Sequence, residues 1–137
     1  MKIVVIDGMG GGIGKAIIEK IKAGLTITGA EVAAIGTNAI ATAAMLKAGA
    51  DYGATGENAV VYNAADADYI IGVMGIAFAN AMHGEVSPKM AEAVSSSPGH
   101  KILLPIDKCN VTVLGVSDRP IQSFIGEIGK KLKEKRM

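Results

Sequence analysis

Short apolar runs alternate along the chain with segments in which apolar residues recur at helical spacing. The first run, Ile3 to Ile6, predicts a buried strand, and Ile17, Ile18 and Ile21 recur on one face of the helix after it. Residues 51–58 have no periodicity and are expected to form a loop. Other segments predict strands at 31–35, 59–62, 68–73 and 101–106, and helices at about 39–48, 76–82, 88–94 and 120–135.

Strands that alternate with helices indicate a parallel sheet with helices on both faces. A further apolar run, Val111 to Val116, begins only four residues after Ile106. That connection is too short for a parallel crossover, so an antiparallel edge strand is expected. The prediction is one Rossmann-like, doubly wound α/β domain over residues 1–137, with five parallel strands and this edge strand. The expected strand order is 3-2-1-4-5-6, with a flavodoxin-like order as the alternative.

Five glycines lie within the seven positions from Gly8 to Gly14, between the first strand and the first helix. Such a loop lets a phosphate approach the backbone N–H groups of a helix N-terminus. The P-loop and the G-x-G-x-x-G fingerprint both fail to match. The loop resembles that of the short-chain dehydrogenases in Gly8, Gly12, Ile13 and Gly14. The alternative is a tight turn whose glycines only permit close packing.

The carboxyl ends of the parallel strands should meet at one crevice near the glycine loop. At the end of the second strand, an NAD site usually carries Asp or Glu, but this chain has Gly36, Thr37 and Asn38. Their polar groups favour NADP over NAD, or they only cap the next helix. The predicted cofactor-binding residues are Gly8, Met9, Gly10, Gly11, Gly12, Ile13, Gly14, Gly36, Thr37, Asn38, Gly72 and Gly75.

Two residues are candidates for catalysis. Cys109 is expected at the same edge beside Lys108, which could lower the pKa of its thiol, with His83 as a possible base. Asp7 follows the first strand directly and could contact a ligand, or it could cap the turn by accepting backbone N–H groups. No ligand spacing indicates a metal site. The Tyr–Lys pair of the short-chain dehydrogenases is absent, which argues against a conventional dehydrogenase.

Composition restricts the partners of the protein. The net charge of +1, without a long basic block, makes nucleic acid an unexpected partner. A single cysteine, no room for a signal peptide and no apolar run of membrane-spanning length predict a cytoplasmic protein. Half of the residues are apolar, which favours a homo-oligomer, a dimer or tetramer, over a monomer.

The chain as a whole resembles a family of short, functionally uncharacterised bacterial proteins. The shared features are the opening Ile-Val-Val-Ile-Asp-Gly, the stretch from Gly36 to Asn58, and Lys108-Cys109-Asn110. This resemblance implies a Rossmann-like nucleotide-binding domain, and it makes residues 53–58 a candidate ligand lid or an ordinary surface loop.

The function predicted is a module that binds or senses NADP(H), NAD(H) or a related small phosphorylated ligand. The alternatives are a small enzyme that uses Cys109 or Asp7 on a nucleotide or sugar phosphate, and a structural subunit with a vestigial site.

Overall fold

The computed structural model describes residues 1–24, 30–106 and 110–136. Five strands alternate with five helices in this part of the chain. The strands are β1 (Lys2–Asp7), β2 (Glu31–Gly36), β3 (Tyr52–Thr55), β4 (Tyr69–Val73) and β5 (His100–Leu104). The helices are α1 (Gly12–Gly24), α2 (Ala39–Lys47), α3 (Glu57–Ala64), α4 (Pro88–Ser96) and α5 (Ile121–Arg136), with a short 3₁₀ helix at Met74–Ala77. No helix among the described residues has the length and apolar character needed to span a bilayer.

The five strands form one parallel sheet in the order β3-β2-β1-β4-β5. This confirms the predicted order for these strands and excludes the flavodoxin-like alternative. The order reverses between β1 and β4, so the carboxyl ends of these two strands flank the crevice where α/β sheets bind ligands.

Alternate residues of β1, β2, β4 and β5 enter two separate cores, one on each face of the sheet. On β1, Ile3 and Val5 pack with helices α1, α2 and α5, while Val4 and Ile6 pack with α3 and α4. These four strands are therefore apolar on both faces, as expected for a buried parallel sheet. The two cores hold the carboxyl ends of β1 and β4 in a fixed relation.

The prediction of a loop at 51–58 and a strand at 59–62 is wrong. The structure has β3 at Tyr52–Thr55 and helix α3 at Glu57–Ala64. Val60 and Ala64 are buried while Tyr62 is 73% exposed, which is a helical alternation hidden by the β-branched side chains. Tertiary packing against β2 and β3 overrides the local preference.

The helix at 76–82 and the antiparallel strand at 111–116 are also wrong. The 3₁₀ helix ends at Ala77, Phe78 is extended, and Asn80 and Met82 have left-handed backbones that stop a helix. Residues 111–116 are described and form no strand. Gly115 has a φ of 86° in the middle of this segment, and Leu114 is 91% exposed.

Candidate functional site

Asp7 fixes the shape of the glycine loop from the end of β1. Its side chain is buried, and its two carboxylate oxygens accept the N–H groups of Gly8 at 2.8 Å and Gly14 at 2.7 Å. Burial raises the pKa of the Asp7 carboxyl, and the backbone N–H groups of Gly14 and Gly8 partly oppose that rise. Both oxygens are thus engaged within the loop, as the turn-capping interpretation of Asp7 expects.

Three glycines of the loop have a structural reason to be glycine. Gly11 has a φ of 76°, in the left-handed region. A Cβ on Gly8 would lie 2.5 Å from Thr37 Oγ1, and a Cβ on Gly14 would lie 2.5 Å from the Met45 sulfur. These three positions are consistent with a close-packed turn between strand and helix.

Gly10 and Gly12 differ from the other three. Neither has a positive φ, and a Cβ on either would meet no atom within 4 Å. Among the described residues, neither N–H group finds a hydrogen-bond acceptor. Gly12 is the first residue of α1, so its N–H group lies at the positive end of the helix dipole.

A cavity of about 840 Å³ adjoins the loop at the point where the strand order reverses. Its floor is the glycine loop, and its far side is the end of β4 and the segment after the 3₁₀ helix. The wall is largely apolar, with a backbone-rich surface at the loop. The lining residues are Asp7 to Ile13, Val73, Gly75, Phe78 to His83 and Ile106.

The predicted binding residues separate into two groups. Gly8, Met9, Gly10, Gly11, Gly12, Ile13 and Gly75 line the cavity, whereas Gly14, Gly36, Thr37, Asn38 and Gly72 lie outside its lining. Gly36 is packed against Thr42, and Gly72 is packed against the Ile6 carbonyl. Asn38 caps α2 by accepting the Ala41 N–H at 2.9 Å, as predicted.

The predictions for the remaining candidates have different outcomes. Cys109 and Lys108 lie outside the described residues, so the predicted catalytic cysteine stays a prediction. His83 lines the cavity. Residues 53–58 belong to β3 and the start of α3, and the prediction that they form a loop is therefore wrong. Among the described residues, no three His, Cys, Asp or Glu side chains are grouped as a metal would need.

Glu85 lies beside the glycine loop, outside the cavity lining, in a role that the sequence did not identify. It comes from the segment between the 3₁₀ helix and α4, and its Oε1 accepts the Met9 N–H at 2.8 Å. The same oxygen accepts Thr37 Oγ1 at 2.7 Å and Asn38 Nδ2 at 2.8 Å. These hydrogen bonds, led by that from Met9, lower the pKa of Glu85 and favour its ionised form.

The sheet order, the glycine loop and the cavity together define a Rossmann-like α/β protein. The model of one family, described as "Domain of unknown function (DUF3842)", matches residues 2–137. The chain therefore belongs to that family, which agrees with its resemblance to uncharacterised proteins.

Two other comparisons add little about function. No curated protein matches the chain. Among solved structures, the dodecameric FMN-dependent UbiX-like decarboxylase of Escherichia coli O157:H7 is similar over 99% of this chain and 94% of that one. The identity is 11% and the TM-score 0.45, and a likeness of this degree carries no functional argument.

Proposed function

We propose that the protein binds a small phosphorylated ligand of the nucleotide class at the loop Gly8 to Gly14. The phosphate accepts hydrogen bonds from the N–H groups of Gly10 and Gly12, and the organic part of the ligand occupies the adjoining cavity. The protein acts as a binding or regulatory module in this proposal.

The observation that carries the proposal is the pair Gly10 and Gly12. Neither backbone conformation nor packing requires glycine at these positions, yet both face the cavity and both retain a free N–H among the described residues. A phosphate that approaches the backbone closely supplies the missing reason, because any side chain there would obstruct it.

The cavity suits a ligand with an apolar or aromatic portion. Ile13, Val73 and Phe78 contribute apolar surface, and the volume is within the usual range for small-molecule sites. The described lining contains no lysine or arginine, so the helix N-terminus and backbone amides would provide the attraction for phosphate. This arrangement favours recognition by geometry over recognition by charge.

Within the nucleotide class, the sequence favours NADP(H) or NAD(H), and both belong among the ligands to test. A cytoplasmic location and a homo-oligomeric state complete the proposal. A subunit contact would help to close the cavity, in whose lining Met9 is exposed.

The test is a thermal-shift panel of NAD(H), NADP(H), FAD, FMN, ATP, GTP and coenzyme A on the freshly purified protein. A ligand at 100 times its Kd should stabilise the fold by about 2.7 kcal/mol. We expect Gly12→Val to abolish the shift, because its side chain fills the phosphate position.

Gly126→Val is the matched control, because Gly126 is exposed on α5 and a Cβ there also meets no atom. It should keep the ligand response of the wild type. Absence of a shift with every ligand, or an equal shift in Gly12→Val, would contradict the proposed function.

A further inference from the structure

The carboxylate of Glu85 occupies the place at the end of β2 where a dinucleotide fold receives the adenosine ribose. Three donors converge on its Oε1, namely the Met9 N–H, Thr37 Oγ1 and Asn38 Nδ2, all within 2.8 Å. Asn38 Nδ2 also donates to the Met9 carbonyl at 3.0 Å, which joins the glycine loop to the same cluster. Glu85 Oε1, Thr37 Oγ1 and Asn38 Nδ2 at this end of β2 are therefore already hydrogen-bonded within the protein.

Backbone hydrogen bonds hold the segment that carries Glu85. Asn80 N–H donates to the Val86 carbonyl at 2.7 Å, and Val86 N–H donates to the Ala81 carbonyl at 3.1 Å. The Glu85 N–H donates to the Met82 carbonyl at 3.1 Å. These hydrogen bonds close the segment from Asn80 to Val86 into a turn, and Glu85 lies within that turn.

The segment also covers the start of the glycine loop. A Cβ built on Gly8 would lie 2.7 Å from the Met82 sulfur and 2.9 Å from Glu85 Oε1. Met82 and Glu85 therefore lie against Gly8, and Glu85 also contacts Thr37 at the end of β2. The cavity is left on the β4 side, where Val73, Gly75 and Phe78 line it while Glu85, Thr37 and Asn38 do not.

We infer that Glu85 is a specificity-determining residue that restricts the site to mononucleotide-type ligands, in which one nucleoside or ring system extends from the phosphate toward β4. A dinucleotide would need to place its second nucleoside at the end of β2 and to break the three hydrogen bonds of Glu85. The 2′-phosphate of NADP would in addition approach the carboxylate of Glu85 and be repelled by its negative charge. This inference rests on the proposed function and narrows its ligand class.

Discrimination by an occupied position is a recognised means of specificity, since an unfavourable contact with the wrong ligand is as effective as a better contact with the right one. Glu85 is suited to it because its hydrogen bonds keep it ionised and in place. It differs from the acidic residue of an NAD site, which leaves its oxygens for the ribose hydroxyls, in that its Oε1 already accepts three hydrogen bonds from the protein.

The experiment measures Kd by calorimetry for FMN, ATP and GTP against NAD, NADP and FAD, in the wild type and in Glu85→Ala. We expect the wild type to bind at least one mononucleotide more than about tenfold more tightly than every dinucleotide. In Glu85→Ala, the affinity for a dinucleotide should rise about tenfold, while the affinity for the mononucleotide stays within about twofold.

Two further variants keep the result interpretable. Thr37→Val removes one donor to Glu85 without touching the cavity lining, and it should raise dinucleotide affinity in the same direction if Glu85→Ala does not fold. Glu92→Gln removes an exposed carboxylate from α4 and should bind every ligand as the wild type does.

The possible failures are distinct. If the wild type binds NAD or NADP more tightly than any mononucleotide, the inference about Glu85 is wrong while the proposed function stands. If dinucleotide affinity is unchanged in both Glu85→Ala and Thr37→Val, Glu85 does not determine specificity. If no nucleotide binds the wild type, the proposed function itself fails.

Discussion

At the scale of single residues, Asp7 links the end of the central strand to the first turn of α1. Its two oxygens accept one N–H from each side of the glycine loop, at Gly8 and at Gly14. The intervening residues are thereby held as a compact turn with Gly10 and Gly12 facing the cavity. In the proposed function, Asp7 has a positioning role, because it would affect a ligand only through the loop.

Replacing Asp7 with Asn keeps one acceptor oxygen but turns an NH₂ group toward a backbone donor. We expect a loss of about 1–3 kcal/mol in the free energy of unfolding at neutral pH, measured by urea denaturation. Because the pKa of the Asp7 carboxyl is raised from 3.8 in the folded state, protonation of this group stabilises the fold. That contribution to the free energy of unfolding is full below pH 3.8 and is lost as pH rises through the folded pKa. The stability difference between wild type and Asp7→Asn should therefore shrink with rising pH in that window, and a difference that grows would contradict the raised pKa.

The residues of the glycine loop could be identified from the sequence, because glycines between an apolar run and a helical pattern form a local signal. Glu85 could not be, because its partners Thr37 and Asn38 lie 48 and 47 positions away along the chain. No spacing rule connects them. The end of β2 carries no acidic residue in the sequence. The fold brings Glu85 there from another segment.

At the scale of elements, the segment between the 3₁₀ helix and α4 has an unusual backbone. Asn80, Met82 and His83 all have positive φ, and Gly84 follows with a φ of 91°. Left-handed backbones are costly for side chains other than glycine and asparagine, so packing and hydrogen bonds must over-determine this conformation. This backbone conformation and its hydrogen bonds hold Glu85 in one position.

The backbone of this segment predicts opposite effects for two glycine substitutions. Gly84→Ala should lower the free energy of unfolding by about 1–2 kcal/mol, because alanine disfavours a φ of 91°. Gly126→Ala, in the helix α5 with open space around its Cα, should raise it by about 0.5–1 kcal/mol. Chemical denaturation of both variants measures the two values, and a stabilising Gly84→Ala would show that the left-handed turn is not the conformation in solution.

The length and the apolar pattern of each element explain which elements could be predicted from the sequence. β1, β2, β4 and β5 are apolar runs with clear ends, and Ser87 and Pro88 mark the start of α4, where the Ser87 hydroxyl accepts the Met90 N–H. β3 was missed because Tyr-Gly-Ala-Thr is a half-buried edge strand without a continuous apolar run. α3 has only eight residues, too few for its period to outweigh its valines.

At the scale of the whole molecule, the surface retains large apolar side chains. Ile40 on α2 is 71% exposed, Tyr62 on α3 is 73% exposed, and Leu114 is 91% exposed. Scattered exposed apolar residues are ordinary on a monomer. In this chain they occur together with a composition in which half of the residues are apolar. Association between copies would remove part of this surface from water.

We therefore expect light scattering after gel filtration to give twice or four times the chain mass of 14.0 kDa. Leu114→Asp introduces a charge at a position that the folded chain leaves exposed, so its far-UV spectrum should match that of the wild type while its mass falls toward 14.0 kDa. A wild-type mass of 14.0 kDa across the concentration range would refute the homo-oligomer.

The central position of β1 also has a consequence for synthesis on the ribosome. β1 emerges first, but one of its edges must wait for β2 and the other for β4, which begins only at Tyr69. During translation, Ile-Val-Val-Ile is therefore an apolar strand with an unpaired edge, the kind of segment that pairs with other chains when it is exposed. The nascent protein should depend on chaperones or rapid elongation until residue 73 has left the exit tunnel, whereas the finished protein buries that strand completely.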